Sequence, residues 1–327
     1  MSGGGTLLDR ERVASPEERV HALLDRRGEL SSAFQPILSL RDHHILGYEA
    51  LLRLPPGSSF GGPGEVFDAA AETDLLVDLE YAALETHLRA AGELPEGRLF
   101  VNLSASAFLD ERMRGAALAS RVRSAGFAPQ RIVLEITELV RVPDPVSFAE
   151  ALRPLQREGF HLAVDDFGAG FSNVRLLVEL GPDFVKTDRS LVEGAARHAR
   201  KRVFLESLAA LGRRINCAVI GEGVESPEDL ATLRACGIPY AQGWGVARPA
   251  PLSFFLGGVR VPSPSAAPAP SVEEPVGAFA VPQEGVAPLT PVGRLVALFE
   301  SDPEPAGIPV LEGSRLAGLV TRNLLFS

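Results

Sequence analysis

The sequence predicts an α/β fold, a (β/α)8 TIM-type barrel with an antiparallel first strand pair, followed by a small α+β fragment. Three observations predict it. Eight short apolar or β-branched runs lie between residues 32 and 258, helix-length segments separate most of them, and most of the runs carry polar residues at or near their carboxyl ends. Near-continuous apolar strands are those buried on both faces of a parallel sheet, and eight of them favour a closed barrel over an open sheet.

Residues 1–31 hold a short helix rather than a domain. Ser15 as N-cap, Pro16 at the first helical position and Glu18 three residues after the cap form a capping box, and Gly28 closes the segment after Arg26-Arg27. The barrel is assigned to residues 32–258, with strands in PILSL, HHILGYEALL, RLFVNL, RIVLEI, HLAVDD, FVKTD, CAVIGEG and YAQGW. At most Arg41-Asp42-His43-His44 separates the first two, too little for a crossover, so they pair antiparallel. Helices are expected at Val77 to Ala91, Pro145 to Arg157, Arg200 to Arg213 and Pro227 to Ala235, with Pro154 kinking or shortening the second. Residues 259–275 form a stiff linker, since five prolines fall within 262–275. In 276–327, VGRLVALFE reads as a helix, IPVLEG and RLAGLV as a strand pair and RNLLFS as a helix start. About fifty residues bury too little for a secure independent core, so this fragment is expected to dock on something.

A net charge of −10 argues against DNA, RNA and anionic membranes as partners. No run approaches the roughly 18 apolar residues of a membrane helix, and the charged start does not read as a secretory signal, so a cytoplasmic location is expected. Cys217 and Cys236 have neither CxxC spacing nor a disulfide framework, and the six histidines form no HxxxH or HExxH pair, which argues against zinc. Cys217 in NCAVI reads as core, His43 and His44 as turn residues, His161 as structural.

The chemistry lies at the strand ends. In order these present Glu49, Asn102, Glu135, Asp165 with Asp166, Lys186, Glu222 with Glu225, and Gln242. The carboxyl ends of parallel barrel strands share one mouth. Any one acid there could simply pair with an arginine, but five or more cannot all stay ionised without cations. Oxygen donors without His or Cys select hard divalent ions, Mg²⁺ or Mn²⁺. Asp165 and Asp166, followed by a glycine-containing turn, can bridge two such ions, and two ions about 3.5–4 Å apart would clamp the attacking and leaving oxygens of a phosphoryl displacement. Lys186 would orient the water or stabilise developing charge.

These residues also carry a resemblance. Gly47-Tyr48-Glu49-Ala50-Leu51-Leu52-Arg53, with Gln35-Pro36-Ile37 before it, resembles the signature of EAL-domain cyclic di-GMP phosphodiesterases. Val101-Asn102-Leu103-Ser104, Leu134-Glu135-Ile136-Thr137-Glu138, Asp165-Asp166-Phe167-Gly168-Ala169-Gly170, Val185-Lys186-Thr187-Asp188, Glu222-Gly223-Val224-Glu225 and Gln242-Gly243-Trp244 follow in that family's order. The resemblance implies that Glu49, Asn102, Glu135 and Asp165 hold one metal, that Asp165 and Asp166 with Glu222 hold the second, and that Lys186 and Gln242 contact the attacking water. It further implies that Glu225 supports the cluster, that Arg53 and Gln35 hold the substrate, and that Glu138 anchors the loop after Asp166. The implied reaction is hydrolysis of cyclic di-GMP to linear pGpG by a homodimer; the alternative is a catalytically silent cyclic di-GMP receptor. Leu54, Ala169, Thr187 and Gly221 depart from the family pattern without touching a ligand position, and Pro55 to Gly64 departs from its usual substrate-side loop. Trp244 either stacks on a base or caps the barrel, the second being favoured. Gly307-Ile308-Pro309-Val310 through Arg322 is similar to part of a CBS motif, for which a structural role is preferred to nucleotide sensing.

Overall fold

The capping box at Ser15 starts the first helix. In the computed structural model Ser15 Oγ accepts from the Glu18 N–H at 3.1 Å, and Glu18 Oε2 accepts from the Ser15 N–H at 2.8 Å. The structure describes residues 14–94, 97–137, 144–168, 174–259, 285–301, 307–313 and 315–321. The chain divides into two units, 1–267 and 268–327. Helix α1 (Pro16–Asp25) belongs to the first, where Val20 and Leu23 pack with Leu52, Phe60, Val66 and Leu79. The last two of these come from α2 (Pro63–Ala71) and α3 (Leu76–Ala90).

Eight strands close a barrel in chain order. They are β1 (Ser31–Ser39), β2 (Ile45–Arg53), β3 (Arg98–Ser104), β4 (Ile132–Thr137), β5 (His161–Phe167), β6 (Phe184–Thr187), β7 (Ala218–Gly221) and β8 (Tyr240–Ala241). β1 runs antiparallel to both its neighbours, β2 and β8, with Gln35 opposite Glu49. β2 through β8 pair parallel. Outside them lie α4 (Gly115–Ser124), α5 (Pro145–Glu158), α6 (Val174–Leu180), α7 (Arg189–Val192), α8 (Ala199–Ile215) and α9 (Pro227–Ala235). α5 continues through Pro154 to a left-handed cap at Gly159, carried by the buried Phe148, Leu152 and Leu155.

The period of two along each strand builds both the core and the site. Leu99, Leu134, Leu162, Val185 and Val219 face outward under the helices. Ile37, Phe100, Val133, Ala163, Phe184 and Ile220 form a separate inner cluster. Two residues beyond five of these stand Asn102, Glu135, Asp165, Lys186 and Glu222. The apolar inner layer is therefore the floor on which the polar mouth rests.

The second unit contains α10 (Val292–Ser301) and an antiparallel pair, β9 (Gly307–Glu312) and β10 (Arg315–Thr321). Leu295, Phe299 and Ile308 are buried there against Val286 and Val320. The helix start expected in RNLLFS and the proline cluster at 262–275 lie outside the described residues. Among the described residues no helix is long and apolar enough to cross a membrane.

Candidate active site

Lys186 is the centre of the mouth. Its side chain is 1% exposed, and Nζ lies 2.8 Å from Glu222 Oε1, 2.9 Å from Glu135 Oε1 and 3.4 Å from both Glu49 Oε2 and Asp165 Oδ2. Four carboxylates from different strands thus converge on one ammonium group, Glu49 from the middle of β2 and Glu222 from just beyond β7. Burial opposes its charge, but Asp165, Glu135, Glu222 and Glu49 together hold its pKa well above the ordinary lysine value. The ammonium therefore stays protonated, a donor and not a base.

The carboxylates divide by environment. Burial pushes Glu135 well above the usual carboxylate range, Lys186 opposes this, and Glu49, Asp165 and Glu222 add to it. Burial, with Asp165 and Glu49, likewise pushes Glu222 up to about 8 against Lys186. Glu49 moves the other way: burial raises it, yet the Lys186 charge and hydrogen bonds from Gln242 and Asn102 bring it below its ordinary value. Asn102 Nδ2 donates to Glu49 Oε1 at 2.7 Å, and Gln242 Nε2 donates to Glu49 Oε2 at 2.6 Å and to Gln35 Oε1 at 3.2 Å. Gln35 Nε2 donates to the Ala247 carbonyl at 3.0 Å, so the amide chain ends on backbone.

A bulge sets the paired aspartates. The β5–β6 register shifts between Val164 and Phe167: Val164 pairs with Val185 and Phe167 with Thr187, leaving Asp165 and Asp166 against Lys186 alone. Consecutive strand residues ordinarily face opposite sides, and the bulge removes that constraint. Asp166 takes a left-handed φ of 53°, and its N–H donates to Asp165 Oδ1 at 2.8 Å. Burial, then the Asp165 charge, raises the Asp166 pKa.

The site residues fit a divalent cation. Asp165, Asp166 and Glu222 each offer an oxygen, all within 4.8 Å of one another. Asn102 Oδ1, both Glu135 Oε atoms and Gln242 Oε1 are buried without a hydrogen-bond partner, the 2.9 Å contact of Glu135 with Lys186 lacking hydrogen-bond alignment. Hard oxygens left unpaired beside surplus negative charge suit a hard metal ion.

Around this cluster lies a cavity of about 190 Å³, walled by Asp166, Asp188, Arg189, Glu225 and Trp244 among others. A larger groove of about 1030 Å³ runs along the outer helices past Arg27, Thr86 and Arg121 and is lined by none of the mouth residues, so the chemistry belongs to the smaller space. Glu225 does not reach the ammonium cluster; it pairs with Arg189 Nη2 at 2.8 Å and is half-exposed. Arg53 donates to its neighbour's carbonyl, Leu52, at 2.9 Å. Behind it His87 is buried with Nδ1 2.7 Å from Ser32 Oγ, and burial, aided by Arg53 and opposed by Glu49, pushes its pKa down to about 4. Trp244 lines the same cavity and is 54% exposed. Glu138 lies outside the described residues. His161 pairs with Asp183 at 2.9 Å, and Cys217 is buried, both structural as expected. Arg189 and Arg248 also border the site, and the sequence marks them only by position, Arg189 directly after the strand-end Asp188 and Arg248 four residues after Trp244.

Fold and site together define a (β/α)8 barrel with an acidic, all-oxygen mouth arranged around one lysine. The chain belongs to the EAL domain family, whose family model matches residues 17–249. It is 32% identical to the uncharacterized protein y4lL of Sinorhizobium fredii over 77% of this chain and 31% of that protein, and 30% identical to the probable cyclic di-GMP phosphodiesterase PdeG of Escherichia coli over 74% and 49%. The solved manganese/cy-diGMP complex of Klebsiella pneumoniae BlrP1 superposes with a TM-score of 0.61 at 29% identity, covering 68% of this chain and 56% of that one. The chain spans 31% and 28% of the first two curated relatives it matches. The family match ends at residue 249, and the CBS-like resemblance of 276–327 gains no support from these comparisons.

Proposed function

We propose that the protein is a cyclic di-GMP phosphodiesterase, hydrolysing one phosphodiester bond to give linear pGpG, with residues 32–258 as its catalytic barrel. The convergence of Glu49, Glu135, Asp165 and Glu222 on Lys186, with unpaired oxygens of Asn102 and Gln242 beside them, carries this reading. Glu49, Asn102, Glu135 and Asp165 would hold one Mg²⁺ or Mn²⁺ ion, and Asp165, Asp166 and Glu222 a second. Bound there, the two ions would supply water activation and stabilisation of the leaving oxygen. Lys186, held protonated, donates toward the water or the phosphoryl oxygens and does not serve as the base. Gln242 and Asn102 fix the Glu49 carboxylate, while the bulge at Asp165-Asp166 aims both aspartates into one space. Arg53 and Gln35 are assigned to the substrate, Glu225 to the Arg189 pair that borders the cluster, and Glu138 to the loop after Asp166. The reading includes a homodimer in the cytoplasm, to be checked by sedimentation velocity and cell fractionation.

The test is turnover by the purified chain in Mg²⁺, in Mn²⁺ and in chelator, with cyclic di-GMP, pGpG and GMP separated by chromatography. Metal-dependent pGpG is the expected product. Tight binding of cyclic di-GMP with no pGpG in either metal would favour the receptor reading instead.

A further inference from the structure

Trp244 stands in an unusual setting for a large aromatic side chain. It is the only tryptophan of the chain, it is 54% exposed, and it helps wall the cavity that contains Asp166, Glu222 and Gln242. The Arg248 guanidinium lies over its ring, 4.0 Å from the centroid. The ring is thus braced by a cation and still open to solvent beside the acidic cluster. Its backbone is fixed as well. The Val224 N–H donates to the Gln242 carbonyl at 3.1 Å, and the Gly245 N–H to the Val224 carbonyl at 2.8 Å. A Cβ at Gly243, with φ of 152°, would collide with the Val224 backbone, so glycine is required for the two segments to meet. A rigid aromatic plate held two residues from a site side chain is the arrangement that stacks a planar base.

Resting on the phosphodiesterase reading above, we infer that Trp244, backed by Arg248, is the stacking surface for one guanine of the substrate and sets its affinity. The unpaired oxygens of the acidic cluster suit metal ions rather than the flat face of a base, and Trp244 is the one aromatic side chain among the described residues that wall the cavity. Selection of a dinucleotide over a simple phosphodiester therefore falls to the rim, and Trp244 is the aromatic group there. Loss of a base–aromatic stack is expected to raise KM about ten- to hundredfold.

The single tryptophan makes the test direct. The full chain, in Ca²⁺ and separately in EDTA, is titrated with cyclic di-GMP while tryptophan emission is followed, and binding is measured in the same solutions by calorimetry. A saturable emission change whose midpoint matches the calorimetric one is expected. In Mn²⁺, Trp244→Ala is expected to raise KM for cyclic di-GMP ten- to hundredfold with a smaller change in kcat, and Trp244→Phe to recover to within about threefold. The ratio of kcat/KM for cyclic di-GMP to that for bis(p-nitrophenyl) phosphate, which has no nucleobase, should fall by a similar factor in the alanine variant. Calorimetric binding with no emission change, or equal losses on both substrates, would overturn the stacking role and leave the phosphodiesterase reading standing. Neither binding nor hydrolysis by the unsubstituted chain would overturn both.

Discussion

Replacing Lys186 by methionine removes the cation that, among the described residues, reaches two buried and two half-buried carboxylates, while keeping nearly the same volume, so the cavity penalty is small. At separations of 2.8–3.4 Å and an effective dielectric near 20, each contact is worth about 5–6 kcal/mol of attraction. Repulsion among the carboxylates and the desolvation of the ammonium take back most of that sum, and proton uptake by a carboxylate relieves more. The net loss is set by leaving buried charge uncompensated, about 3–5 kcal/mol. A domain of this size loses about 2–4 °C of Tm per kcal/mol, so the variant should melt about 6–20 °C below wild type in EDTA at pH 8. The deficit should shrink toward pH 5, where protons do what the ammonium did, and Mn²⁺ should raise the variant's Tm more than the wild type's. Turnover in saturating Mn²⁺ should fall about a hundredfold or more, as the donor to the reacting oxygens is gone. Scanning calorimetry with and without EDTA reads the stability, and pGpG formation reads the activity. A variant melting within 2 °C of wild type in EDTA at pH 8, with the same Mn²⁺ response, would refute Lys186 as the neutralising charge.

Glu49→Ala removes a carboxylate that both Asn102 and Gln242 grip, and should abolish pGpG formation even at saturating Mg²⁺; wild-type turnover would move the site elsewhere. Burial raises the folded-state pKa of Glu135 and, to about 8, of Glu222 above the unfolded value near 4.5, so their contribution to stability is complete below that value and is lost as pH climbs through the folded pKa. In EDTA the protein should therefore lose stability from pH 5 to 8.5, while the Tm gain on adding Mn²⁺ grows over the same range because the metal needs the deprotonated forms. A Mn²⁺ shift independent of pH would contradict the assignment of these two carboxylates as ligands. Glu138→Ala should lower turnover by more than about tenfold at modest metal, the factor that about 1.4 kcal/mol implies, with partial recovery at high Mn²⁺. Unchanged metal dependence, with Arg141→Ala as the comparison, would assign Glu138 to a surface pair contributing at most about 1 kcal/mol.

The site was legible in the sequence to the extent that it is periodic. Five of the strands carry an apolar residue for the floor and, two residues later, a polar one for the mouth, so Phe100 announces Asn102, Val133 announces Glu135 and Phe184 announces Lys186. The antiparallel first pair was legible from the shortness of 40–44 alone. Among the short helices of the barrel unit, α1 and α9 carry capping boxes that mark them in the sequence, whereas α2, α4, α6 and α7, none longer than ten residues, leave too few turns for an apolar period to show. The bulge at Asp165-Asp166 was also hidden, because a shift of one residue leaves no trace in composition; two adjacent acids at a strand end signal that both are wanted in one place, not how the backbone delivers them. Contacts made across the rim, Arg189 with Glu225 and Arg248 with Trp244, depend on loop paths that apolar periodicity does not encode.

That division has a physical basis. The floor is apolar and repeats with the strand, so hydrophobic burial fixes where every mouth residue stands before any charge interacts. Once placed, Glu49, Glu135, Asp165 and Glu222 have no freedom to separate, and the electrostatics must adjust instead: one carboxylate is driven below its ordinary pKa, two are driven above it, and one lysine is locked in its charged form. A barrel that did not force these groups together would let each relax onto water or a surface arginine, and Glu49, Glu135 and Glu222 would titrate in the ordinary range. The spread of pKa values at the mouth is thus produced by the rigidity of the floor beneath it. Enlarging that floor's voids, as Phe100→Ala would at about 3–5 kcal/mol, should loosen the charge cluster without touching any of its members.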